Sequence, residues 1–108
     1  MGRQMKIRVN PSNIKNQEHV REAIEEIFKS KKVKVYLFGS RAKGGNTPRS
    51  DLDLGFLSDE EIGYELSLLR EILEESNLPF SVDVVDLSKV GSEFREKVLK
   101  EGKLWISL

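Results

Sequence analysis

Apolar residues near the start of the chain recur with helical period. Val20, Ala23, Ile24, Ile27 and Phe28 stand at i, i+3, i+4, i+7 and i+8, which gathers them on one face of an amphipathic helix running to about Lys29. Ahead of it, Met5 to Val9 alternates weakly as a short edge strand ended by Asn10-Pro11, and Ser12 or Asn13 is the expected N-cap. The period then changes. Val33 to Phe38 is a β-branched and aromatic run that stops at Gly39, a buried strand leading into a short helix from Ser40. Gly44-Gly45-Asn46-Thr47-Pro48 is a loop by composition, and Asp51 to Leu57 is a second core strand. Ser58 and Glu61 have the spacing of a capping box. They open a helix whose Ile62, Leu66, Leu69, Ile72 and Leu73 share a face. Asn77-Leu78-Pro79 breaks that helix, and Phe80 to Asp86 is the third strand. A last helix, Lys89 to Lys100, turns Phe94, Val98 and Leu99 inward, with Gly102 as its C-cap and Leu104 to Ile106 as a terminal strand. The alternation predicts one α/β (α+β) domain over residues 1–108, a small mixed β-sheet flanked by helices.

Composition narrows the function classes. The 108 residues suffice for one core but leave no room for a separate substrate domain. Lysine plus arginine equals aspartate plus glutamate at 18 each, so no net charge argues for strong nucleic-acid binding. Absence of cysteine removes disulfides, thiolate metal sites and a cysteine nucleophile. The lone His19 lies in the first helix and reads as a surface residue. No apolar run has the length of a membrane span and no signal-peptide core is visible, so the expectation is a cytoplasmic protein without membrane contact.

Two segments ask for more than packing. Gly39-Ser40 stands where a strand turns directly into a helix, which offers backbone N–H groups to a phosphate. Glycine permits close approach, serine adds a hydroxyl, and Arg41 and Lys43 add positive charge. Taken alone, this is an ordinary strand-to-helix turn. Asp51 and Asp53 are more telling. Aspartate is depleted in strands, yet these two share one face, about 6.6 Å apart, while Leu52 and Leu54 face the core. Such a pair can grip a hard divalent cation from one side. Asp83, mid-strand among valines, would cost several kcal/mol if buried unpaired, and a metal shared with Asp51 and Asp53 would answer that cost. The bland alternative is a salt bridge. Asp86, at the strand end, reads as a turn residue. If the three aspartates converge, one or two Mg²⁺ ions, Asp83 as base or ligand, and a triphosphate would complete the equipment for phosphoryl transfer.

These residues resemble the nucleotidyltransferase superfamily of the DNA polymerase β type: a hydrophobic residue and Gly-Ser (Phe38, Gly39, Ser40), a spacer, Asp-x-Asp (Asp51, Asp53), and a later strand aspartate (Asp83). The Gly-Ser-Arg-Ala run, the Ser50-Asp51-Leu52-Asp53 strand and the Val82-Asp83-Val84-Val85 strand are most similar to the minimal nucleotidyltransferase (MNT) branch. The Lys43-Gly44-Gly45-Asn46 loop departs from the branch's usual Arg-Gly. The resemblance implies a palm-like fold and Mg²⁺-dependent transfer of a nucleotide, usually AMP from ATP. It places Asp51, Asp53 and Asp83 on metal and in catalysis, and Gly39, Ser40, Arg41, Lys43 and Ser50 on the nucleoside triphosphate. It further implies a HEPN-type partner, often a ribonuclease toxin, which an MNT antitoxin binds and adenylylates on a tyrosine.

The competing reading is a binding module that neutralises its partner by contact, with an idle or regulatory nucleotide site. Transfer to RNA or to an antibiotic fits the size and neutral charge less well. Tyr36 and Tyr64 are candidate self-modification acceptors but read better as packing residues, and Trp105 reads as a core or dimer contact, leaving room for homo-oligomerisation.

Overall fold

The computed structural model describes residues 9–44 and 50–108. Its strands are β1 (Lys34–Phe38), β2 (Leu52–Leu57), β3 (Val82–Asp86) and β4 (Lys103–Ser107). The helices are α1 (Gln17–Ile27), the single turn α2 (Ser40–Lys43), α3 (Gly63–Glu74) and α4 (Ser92–Glu101), with a 3₁₀ turn at Pro11–Asn13. The sheet order is β3-β2-β1-β4. β1 runs antiparallel to β2 and β4, whereas β2 and β3 are parallel. A parallel pair needs a crossover, and α3 supplies it.

Alternation divides the sheet into two faces. Val35, Leu37, Leu52, Leu54, Phe56, Val84 and Ile106 point to one side and are buried. There they meet Val20, Ile24, Ile27 and Phe28 of α1 and its C-cap, and Leu66, Leu69 and Ile72 of α3. The Phe28 and Phe56 rings lie 5.2 Å apart at the centre of this core. On the opposite face the cross-strand row Phe38, Asp53, Asp83 occupies one end of the sheet. Farther along, buried Leu87 folds back over Gly55, its N–H bonded to the Phe56 carbonyl at 2.8 Å. Helix α4 covers the β1 side of this second face, where Phe94 meets Phe38 edge-on at 5.8 Å. The end carrying the aspartates is left uncovered by Leu87.

Several boundaries differ from expectation. Residues 5–8 of the expected N-terminal strand lie outside the described residues. The cap of α1 is Asn16, whose side chain accepts the His19 N–H at 2.9 Å, because Ser12 and Asn13 are used in the 3₁₀ turn capped by Asn10. No capping box forms at Ser58. Its hydroxyl donates to the Lys32 carbonyl at 2.6 Å, and the helix starts only at Gly63, whose N–H is accepted by Glu61 at 3.0 Å. Phe94 is not inward but 40% exposed. Asp83 sits on an edge strand and is solvent-exposed, so the burial cost expected for it does not arise. No helix among the described residues is long and apolar enough to cross a membrane.

Gly102 ends α4 as expected, with its N–H bonded to the Val98 carbonyl at 2.8 Å. Its need for glycine is spatial, since φ is −82°. A Cβ there would stand 2.6 Å from the carbonyl oxygens of both Leu37 and Val98. At Gly91, a Cβ would meet nothing within 4 Å. Gly102→Ala should therefore cost about 1–3 kcal/mol, and Gly91→Ala should be neutral or stabilise by up to about 1 kcal/mol. Paired thermal melts check this, and equal Tm values for the two variants would contradict it.

Candidate active site

The site starts with a backbone constraint. Gly39 leaves β1 with φ +74° and ψ −152°, a conformation that side-chain-bearing residues rarely adopt. A Cβ there would also overlap Asp53 Oδ2. The empty Cβ position is filled by the neighbouring carboxylate. Glycine thus serves two ends here: it lets the chain turn into α2, and it lets Asp53 stand against the turn.

Ser40 opens α2 and is exposed. With four residues, α2 has little dipole, so any anion binding would rest on the local N–H groups and the serine hydroxyl. Lys43 closes the turn. The loop that follows, Gly45 to Arg49, lies outside the described residues.

Asp53 is the second residue of β2, an interior strand, opposite Phe38 on one side and Asp83 on the other. Asp51 immediately precedes the strand and is exposed. Partial burial, then the charge of Asp83, then that of Asp51, push the Asp53 carboxyl above the usual carboxylate range. None of the three aspartates forms an ion pair among the described residues. The salt bridge considered for Asp83 is therefore not made. Asp86 behaves as expected of a turn residue, accepting from Ser88 N–H at 3.0 Å and Ser88 Oγ at 2.6 Å.

No group of three carboxylate, histidine or cysteine side chains is gathered at ligand spacing among the described residues. The structure therefore does not bring Asp51, Asp53 and Asp83 together as one ligand set; what it offers is the cross-strand pair Asp53 and Asp83. A pair of carboxylates is chemically compatible with Mg²⁺, which takes one or two carboxylates and completes its shell with substrate phosphates and water.

Arg41 does something sequence reasoning did not assign. Its Nε and Nη2 donate to the Ser50 carbonyl at 3.1 and 2.7 Å, and Nη1 donates to Gln17 Oε1 at 2.9 Å. The guanidinium lies 4.3 Å from the centroid of the Phe80 ring. One side chain thus ties α2 to the start of α1, to the residue before Asp51, and to the segment entering β3. Gln17 and Phe80 were not candidates, and no local pattern marks them, because both act through contacts distant in sequence. Ser50 contributes its backbone carbonyl to this clamp.

A cavity of about 180 Å³ adjoins the Gly39 turn, lined by Phe38, Gly39, Ala42, Phe94, Lys97, Val98 and Glu101. Sequence reading had placed Phe94 in the core, and its exposure is the feature that distinguishes it.

Comparison with known proteins gives a consistent result. Residues 22–107 match the family model described as "Polymerase beta, Nucleotidyltransferase". A 67-residue stretch is 40% identical to the Haemophilus influenzae protein named "Probable protein adenylyltransferase MntA", covering 61% of this chain and 59% of that protein. The chain thus spans less than two thirds of that relative. Among solved structures, a toxin-antitoxin complex with AMP-PNP superposes with a TM-score of 0.61 at 24% identity, over 85% of this chain and 74% of the other. The MNT antitoxin bound to a tri-AMPylated Shewanella oneidensis HEPN toxin superposes with a TM-score of 0.54 at 21% identity, over 84% and 72% of the two chains. At these identities the structural likeness establishes the fold.

Two outcomes follow from the site's electrostatics. Because the folded-state pKa of Asp53 is raised, its charged form destabilises the fold at neutral pH. That penalty is relieved as pH falls through the raised value. Asp53→Asn should stabilise the fold at pH 7, by about 0.2–1 kcal/mol for one like-charged cross-strand pair, and so raise Tm, and the advantage should shrink on acidification. Melts of both proteins from pH 7 to pH 4 test the sign; a variant less stable at pH 7 would reverse it. Arg41→Lys cannot reproduce the forked contact and should lower stability by about 1–3 kcal/mol, with faster amide exchange around Asp51 and Leu52. Unchanged exchange there would remove the clamp from the account.

Proposed function

The chain belongs to the Polymerase beta nucleotidyltransferase family, and from that membership we propose that it transfers AMP from ATP to a protein hydroxyl, a tyrosine of a HEPN-type partner. The observation that carries this is the row of Asp53 and Asp83 with Asp51 beside it, in no ion pair among the described residues and set against the Gly39 turn. The named adenylyltransferase relative and the AMPylated toxin of the structural neighbour support the acceptor class. The neighbour bound to AMP-PNP supports a nucleoside triphosphate donor.

Gly39 and Ser40 would receive the phosphates, through backbone N–H groups of the turn and through the serine hydroxyl. Asp53 and Asp83 would hold Mg²⁺ together with the substrate phosphates, and Asp51 would join them once the ion draws the three carboxylates closer. When bound, the ion supplies charge compensation for the triphosphate and for the departing pyrophosphate. The tyrosine oxygen attacks the α-phosphorus, the bond to the pyrophosphate oxygen breaks, and the tyrosine proton passes to a carboxylate. Exposed Asp83 is best placed to take it, since it has room for an incoming partner side chain. Asp53, half-buried against Gly39, is better suited to fixing charge than to moving a proton. Arg41 keeps the Asp51 end of the row in place through the Ser50 carbonyl.

Label transfer tests the proposal directly. The protein, α-labelled ATP, Mg²⁺ and a HEPN-type protein from the same genome should give a labelled partner band, with phosphotyrosine-type linkage by mass spectrometry. Asp53→Ala, or removal of Mg²⁺ by chelation, should reduce the label by more than about 100-fold. A partner that co-purifies but is never labelled would instead support neutralisation by contact.

A further inference from the structure

Strand β3 has a neighbour on one side only, because it ends the sheet order β3-β2-β1-β4. The main-chain groups at its two ends are turned toward β2. The Ser81 carbonyl accepts from Leu52 N–H at 2.9 Å, and Leu87 N–H donates to the Phe56 carbonyl at 2.8 Å. Main-chain groups alternate in direction along a strand, so those of Val82, Val84 and Asp86 face the outer edge. The Asp86 carbonyl is used in the following turn, by Lys89 N–H at 3.1 Å. The Val84 carbonyl accepts from Arg70 Nη2 of α3 at 2.9 Å. Arg70 is exposed, but its helix is anchored by Leu66 and Leu69, both buried.

This bond falls where the edge strand is pushed outward. Asp83, the residue before Val84, is the direct cross-strand partner of Asp53. Like charges directly opposite each other destabilise a strand pair. An interior strand would be held against that repulsion from both sides. On β3 the outer side is held, next to Asp83, by the Arg70 guanidinium. Arg70 and Asp83 line one groove, yet they form no ion pair among the described residues. The difference matters chemically. A guanidinium seated on the Asp83 carboxylate would compete with a metal for it. A donor to the main chain of the next residue fixes the strand and leaves the carboxylate open. Arg41 acts in the same way before Asp51, through the Ser50 carbonyl.

We infer that Arg70 is a positioning residue: it holds the outer edge of β3 so that Asp83 stays in register with Asp53 and the two carboxylates can share one Mg²⁺. This role rests on the nucleotidyltransferase reading above and adds to it a residue that touches neither nucleotide nor acceptor.

Arg95 supplies the control. Its Nε donates to the Leu87 carbonyl at 2.8 Å and its Nη2 to the Val90 carbonyl at 3.2 Å, the same kind of contact just past the other end of β3. The intact protein, Arg70→Met and Arg95→Met are titrated with ATP, once with Mg²⁺ and once with EDTA in its place. Arg70→Met should weaken ATP binding by about 10- to 100-fold with Mg²⁺, the usual cost of losing a group that orients a metal ligand, and leave it within about twofold in EDTA. Arg95→Met should change neither. Each lost hydrogen bond should lower Tm by about 4–8 °C in either variant. Hydrogen exchange at the Asp83 and Val85 amides, which face β2, should quicken only in Arg70→Met. Equal weakening by Arg70→Met in both solutions would overturn the inference, since Arg70 would then be touching the nucleotide itself. Equal weakening by the two variants would also overturn it, leaving a general effect of stability. So would unchanged binding with Mg²⁺ in Arg70→Met, even with faster exchange. If ATP binds the intact protein no better with Mg²⁺ than in EDTA, the aspartate row is not a metal site and the underlying reading falls as well.

Discussion

The contact on which the site depends is that between the Asp53 carboxylate and the empty Cβ position of Gly39. It couples a backbone requirement to an electrostatic one. The turn at Gly39 must take a positive φ for β1 to pass at once into α2, and only glycine does so cheaply. The same missing side chain lets a carboxylate from the neighbouring strand stand against the turn. Any other residue at this position would lose both the turn and the space. The consequence is a carboxylate that is partly desolvated, flanked by two like charges, and held beside the Gly39 turn. That arrangement costs folding energy and is met by no cation among the described residues. Such a cost persists in a fold when the charge serves something the fold does not itself contain.

Much of this was legible in the sequence because it depends on period and spacing. The helical stripe from Val20 to Phe28 and the β-branched run to Phe38 fixed the two-layer core. The i, i+2 aspartates fixed their shared face once Leu52 and Leu54 were known to point inward. What failed were inferences from local chemistry whose partners lie far along the chain. Ser58 has a capping-box sequence, yet its hydroxyl is taken by the Lys32 carbonyl and the helix begins at Gly63. Asp83 sits among valines, which suggested burial, but β3 is an edge strand and the residue is exposed. Its valine neighbours report the parallel pairing with β2, not a dry environment on both faces.

Arg41 has contacts that its local sequence does not announce. A cation beside a Gly-Ser turn reads naturally as a phosphate ligand. In the structure its guanidinium joins the Ser50 carbonyl, Gln17 and Phe80, three segments that the sequence gives no reason to connect. An arginine suits this task better than a lysine because its planar fork can serve several acceptors while its face packs on a ring. Positive charge at this point in the chain therefore acts first on the backbone leading to the aspartates.

The two faces of the sheet divide the labour accordingly. One face is apolar at its buried positions and packs against α1 and α3, with Phe28 and Phe56 at its centre, so that most of the apolar burial lies away from the charged end. The other is filled by Leu87 over Gly55 at one end and roofed by α4 on the β1 side. Between those two fillings, among the described residues, lie the Asp53–Asp83 row and the Gly39 turn. Cross-strand register is what brings them together, since it sets Asp53 opposite Phe38, the residue before the turn, and opposite Asp83 on the other side. The charged end is therefore a product of strand pairing across three segments distant in sequence, with the turn fixed to it through the one position that carries no side chain.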